Sequence, residues 1–124
     1  MRNAALLLIT AVSVTCLGCG ADYGTGRVCT AVAVPALAVT VLDGSTGQRV
    51  CDATVVAVEG SFSSTLEPSL GGGTCSYSGP YERAGVYEVR VTKQGYQPDV
   101  ERNVRVTADE CHVVTQQLTL TLVR

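Results

Sequence analysis

The sequence predicts an all-β fold, a seven-stranded Greek-key β-sandwich with two disulfides, and three observations point to it. From Cys29 onward apolar residues recur at every second position, the period of a half-buried strand. Val and Thr dominate these runs, as a pleated surface favours. Clusters of Gly, Asp, Ser and Pro interrupt them at short intervals, the spacing of a sandwich rather than of alternating strands and helices. A chain of 124 residues, 46% apolar and 16% charged, holds one such domain and excludes a two-domain enzyme.

The first strand sets Leu37, Val39 and Val41 against Ala38, Thr40 and Leu42, and residues 43–47, Asp-Gly-Ser-Thr-Gly, supply a turn. A second strand follows, with Ala53, Val55 and Ala57 on one face and Thr54, Val56 and Val58 on the other. Residues 59–61 make a tight turn into a short third strand, 62–67, which should stop where Pro68 removes a donor. Residues 69–73, Ser-Leu-Gly-Gly-Gly, read as a mobile loop, and 76–83 as a turn-rich segment beside it. The clearest strand is 85–92, with Tyr87, Val89 and Val91 facing the core and Val86, Glu88, Arg90 and Thr92 facing water. After a turn at 93–96, residues 103–107 alternate again, 109–110 make a corner, and a last strand over 111–123 points Leu118, Leu120 and Leu122 inward.

Ahead of this domain, residues 1–18 read as an export signal. Arg2 is its positive end, and residues 4–14 form an apolar stretch too short to span a membrane, which takes roughly 20 residues. Cys16, Leu17, Gly18 and Cys19 resemble the lipobox of bacterial lipoproteins, with Cys19 as the acylated residue and Cys16 standing where that motif prefers Leu. The rival is ordinary cleavage after Gly20 or Ala21, because Gly18, Cys19 and Gly20 are all small enough for a signal-peptidase pocket. The organisation is thus a signal over 1–18, a lipidated Cys and flexible tether over 19–28, and the sandwich over 29–124. Acylation would anchor the chain to a membrane, outer membrane or cell surface; conventional cleavage would leave it periplasmic or secreted.

The segments around Asp43, Gly44 and Gly47, around Val50 and Val55, the run from Gly85 through Tyr87 to Gly95 and Tyr96, and the terminal Leu118, Leu120 and Leu122 together resemble the carboxypeptidase regulatory-like domain. The resemblance covers roughly residues 35–123. It implies a transthyretin-like (prealbumin) sandwich without an active site or cofactor, of a fold that in some relatives binds carbohydrate. Cysteines are not part of that family's general pattern.

Six Cys in the chain point to an oxidising compartment. With Cys16 in the signal and Cys19 at the anchor, an even set is left for the domain. Strand order pairs them. If the second strand hairpins at 59–61, the returning chain brings Cys75 to the end where Cys51 lies; such a strand is about 25 Å long, whereas bridged Cα atoms lie within about 7 Å. Cys29 and Cys111 then meet at the opposite end, provided the first and last strands run parallel.

Chemistry is sparse. Nine Lys plus Arg against eleven Asp plus Glu argue against a nucleic-acid partner. Cys111 and His112 are neighbours on an expected strand, so they face opposite ways and form no nucleophile–base pair; a disulfide beside a solvent-facing His is expected. Asp109, Glu110 and His112 lack the ligand spacing of a metal site, and the 43–47 turn lacks that of a calcium loop. Glu82 and Glu88 read as surface charge. Tyr77, Tyr81 and Arg83 are the candidate ligand-binding residues, since loop Tyr with Ser, Gly and Arg is the composition of an adaptable binding surface; covering a sheet edge is the alternative. No metal, cofactor or catalytic residue is expected. The function expected is a non-catalytic binding or structural envelope module, with a polysaccharide or another envelope protein as its partner.

Overall fold

A computed structural model describes residues 28–71 and 74–124; the signal segment, Cys19 and most of the tether lie outside the described residues. Alternation produces strands wherever a buried face exists. The elements are β1 (Pro35–Asp43), β2 (Thr54–Glu59), β3 (Phe62–Thr65), β4 (Glu67–Gly71), β5 (Thr74–Tyr81), β6 (Gly85–Thr92), β7 (Asp99–Val106) and β8 (Gln116–Leu122), with no helix among the described residues. They form two four-stranded sheets, ordered β4-β5-β1-β8 and β3-β2-β6-β7.

Inward residues of both sheets meet in one core. Leu37, Val39 and Val41 of β1, Tyr77 of β5 and Leu120 and Leu122 of β8 pack in the same cluster as Val55, Ala57, Tyr87, Val89, Val91, Val104 and Val106 of the other sheet. Full burial of one such Val or Leu is worth about 1.5–3 kcal/mol, so this cluster drives the sheets together.

The structure has eight strands where seven were expected, and the differences have physical causes. Residues 69–73 are not a loop as a whole, because Glu67–Gly71 is a strand paired with β5. It lies at the sheet edge with every residue exposed, so it has no buried face to create alternation, and the edge tolerates Pro68. Residues 76–83 are likewise mostly strand. The inward positions of β5 are Cys75, Tyr77 and Gly79, a series without Val, Ile or Leu to announce it. Strand β7 begins at Asp99, four residues before the expected start, because its exposed Glu101 and Arg102 mask the period. A register shift between Tyr87 and Val89, with Asn103 at φ 58°, breaks that period as well. Cys111 sits in a bend ahead of β8 rather than opening it.

Both disulfides form as the strand order requires. Cys51 bonds Cys75 with Cα atoms 5.6 Å apart, and Cys29 bonds Cys111 at 5.2 Å. The second bond follows from the parallel pairing of β1 with β8, in register from Leu37 opposite Gln116 to Asp43 opposite Leu122. Parallel neighbours start at the same end, so the segments leading into them lie side by side.

At the far end of this pair Asp43 closes the turn. Its Oδ1 accepts the N–H groups of Ser45 and Thr46, and its Oδ2 accepts the Tyr96 hydroxyl. Gly47, at φ 70°, donates its N–H to the Asp43 carbonyl. Carboxylate oxygens already committed to donors make this a structural turn rather than a cation loop.

The Tyr96 hydroxyl first, and the turn N–H groups after it, hold the Asp43 carboxyl below its ordinary range. A depressed carboxylate pKa stabilises the fold above the unfolded value and ceases to do so as pH falls through the folded one. Asp43→Asn should therefore be less stable than the wild type at neutral pH, with the gap closing below about pH 4 in urea titrations. The bonds also differ in span, 82 against 24 residues. Replacing Cys29 and Cys111 by Ala should cost about 4.5 kcal/mol in urea unfolding, against about 3.5 for Cys51 and Cys75. A smaller loss for the longer loop would mean that residues 29–34 come free before the sheets separate.

Candidate functional site

The end of the sandwich that carries the Cys29–Cys111 bond also carries a groove of about 520 Å³. Its walls are the segment before β1, the link between β5 and β6, and the bend before β8. Ala31, Ala33, Ala84, Ala108 and Val113 give it an apolar lining, and Thr30, Glu82, Asp109 and His112 give it polar groups.

Each polar side chain is placed by backbone geometry. The disulfide sets Thr30 beside His112, its neighbour on the bonded partner. Asp109 Oδ1 accepts the N–H groups of Cys111 and His112 at 2.8 and 2.9 Å, which shapes the bend that presents the imidazole. Glu82 extends the β1–β5 ladder past Pro35 and Tyr81, its N–H donating to the Val34 carbonyl. It adopts φ 51°, a left-handed conformation that costs a non-glycine residue roughly 1–2 kcal/mol. Its carboxylate offsets that cost: Oε1 accepts the Val34 N–H at 2.8 Å and faces His112 Nδ1 at 2.6 Å, and Oε2 accepts the Val113 N–H at 3.3 Å.

The result is a relay. Thr30 Oγ1 lies 3.0 Å from His112 Nε2, and Glu82 holds the opposite ring nitrogen. The Val34 N–H first, with His112 and the Val113 N–H after it, holds the Glu82 carboxyl below its usual range, so at neutral pH it is an acceptor. Nδ1 must then carry a proton. In the neutral ring Nε2 is consequently an acceptor, and the Thr30 hydroxyl donates to it.

The sequence-predicted residues do not share this site. Tyr77 is 1% exposed; its hydroxyl donates to the Val50 carbonyl at 2.9 Å and accepts the Ala53 N–H at 3.0 Å, so no ring face is open to a ligand. Arg83 stacks over the Phe62 ring at 3.6 Å, pairs with Glu59 at 3.1 Å and donates to the Tyr87 hydroxyl. It braces the corner between β2, β3 and β6. Tyr81 is half exposed and joins neither. His112 is partly solvent-facing: its side chain is 21% exposed, and both ring nitrogens are bonded. Glu82 is more than surface charge.

Sequence reasoning missed Thr30 and the part Glu82 plays. A signal for Thr30 existed: a bond between Cys29 and Cys111 puts the residues that follow them within reach of each other. No family model matches the chain, and no curated protein matches it significantly.

The buried hydroxyl gives a direct measurement. Tyr77→Phe leaves the Val50 carbonyl and the Ala53 N–H without a partner and should cost about 1–3 kcal/mol in urea unfolding. Tyr81→Ala should stay within about 0.5 kcal/mol of the wild type.

Proposed function

We propose that the chain is a cell-envelope lipoprotein whose sandwich is a non-catalytic binding or structural module, held to a membrane by acylated Cys19. The disulfide framework carries this reading: two bonds staple opposite ends of the domain, which belongs to an oxidising, extracytoplasmic setting. The lipobox-like Cys16, Leu17, Gly18 and Cys19 supply the anchor. The carboxypeptidase regulatory-like, Greek-key reading is supported by two four-stranded sheets sharing one core and by the parallel pairing of the first and last strands.

In this reading the surface offered to a ligand or envelope partner is the groove at the Cys29–Cys111 end. Its mixed apolar and polar lining suits a small amphipathic group. Tyr77 and Arg83 serve the fold instead, which leaves Tyr81 as the exposed ring among the residues considered for polysaccharide stacking.

Expression in a bacterial host with intact lipoprotein processing tests the anchor. The mature chain should begin at a diacylated Cys19 by intact mass and partition into detergent. Cys19→Ser should move it to the soluble fraction with both disulfides formed. An unmodified mature N-terminus after Gly20 or Ala21 would overturn the proposal.

A further inference from the structure

We infer that Thr30 is a base-activated hydroxyl that accepts an acyl group from a small activated ester, with His112 as the base and Glu82 as the residue that positions it. The inference goes beyond the module reading, which requires no reactive group. It rests on three observations. The hydroxyl and the carboxylate lie 3.0 and 2.6 Å from opposite ring nitrogens, with the proton polarity of a nucleophile, a base and an orienter. The relay borders an open groove of about 520 Å³, and Thr30 itself is exposed, so a reagent can reach it. Glu82 is kept in a disfavoured backbone conformation whose carboxylate bonds serve this geometry, and strain of that kind collects at functional sites.

The step balances within the protein and the ester. Thr30 Oγ1 bonds to the acyl carbon while its proton passes to His112 Nε2. The bond from the acyl carbon to the leaving oxygen then breaks, and the alcohol departs with that proton, leaving a threonine ester and a neutral imidazole. Glu82 remains a carboxylate throughout and stabilises the transient imidazolium. The alanine-rich lining favours a small acyl group, and the carboxylates of Glu82 and Asp109 disfavour an anionic one. A single transfer that leaves the ester in place makes the module a covalent acceptor and not a turnover enzyme.

The test is incubation of the mature, disulfide-bonded protein with p-nitrophenyl acetate, followed by peptide mapping of the acetyl group. Lys93, the only lysine, is an internal reference for unassisted acylation. Thr30 should be acetylated, Thr30→Ser should keep the label, and Thr30→Val should lose it. His112→Gln should slow labelling of Thr30 roughly 100-fold while leaving Lys93 unchanged. Should that variant fail to fold, the wild type still decides: Thr30 should label roughly 100-fold faster folded than in urea. Acetyl on Lys93 with none on Thr30, an unchanged Thr30 rate in folded His112→Gln, or equal rates in folded and unfolded chains would each overturn the inference. None of these results bears on Cys19, so the anchor and the reactive hydroxyl fail separately.

Discussion

The parallel pairing of β1 with β8 is the constraint on which the rest depends. Antiparallel partners can be joined by a two-residue turn, but parallel ones need the chain to travel back, and here all the other strands lie between them. That pairing puts the first and last strands next to each other inside one sheet, with the segments that lead into them at the same end. Thr115 donates its hydroxyl to the Pro35 carbonyl there, the Cys29–Cys111 bond closes there, and Thr30 meets His112 there. At the other end the same pair delivers Asp43 to Tyr96 and lets Gly44 donate to the Leu122 carbonyl. Topology thus sets the site before any side-chain chemistry acts.

What was legible in the sequence follows from which residues have a buried face. β1, β6 and β8 repeat Val, Leu or Tyr at every second position, and their inward sets are those the period indicates. β4 and β5 were hidden for opposite reasons. β4 is an exposed edge with nothing to bury, whereas the buried positions of β5 are filled by Cys75, Tyr77 and Gly79, residues that also build loops. Reading β5 as a loop puts Tyr77 on the surface, and its place among the candidate binding residues inherits that error, whereas Tyr81 is exposed as expected. Both cysteine pairings could be read because they depend on strand order alone, which tolerates errors of a few residues at strand ends.

The relay lies beyond local patterning for another reason. Thr30, Glu82 and His112 are each unremarkable among their sequence neighbours, and Thr30 lies 82 positions from His112. The disulfide brings Thr30 to His112, and the β1–β5 ladder brings Glu82 to both. A cross-link between chain segments also fixes the neighbours of each cysteine, so a predicted pairing is a prediction about contacts around it.

Glu82 shows how structural and chemical demands converge on one carboxylate. Pinning the pre-β1 segment needs an acceptor for the Val34 N–H, and ordering the pre-β8 bend needs one for the Val113 N–H. An acceptor that serves both must sit between the segments, and the left-handed turn at Glu82 puts it there. Once there, a carboxylate kept ionised by backbone donors will also take the nearest ring N–H, which fixes the His112 tautomer and turns its free lone pair toward Thr30. The polarity that would activate the hydroxyl is therefore a by-product of bracing the two chain segments. A clamp of this kind needs no selection for reactivity to acquire it, which is why reactivity at Thr30, rather than the hydrogen bonds themselves, separates a brace from a site.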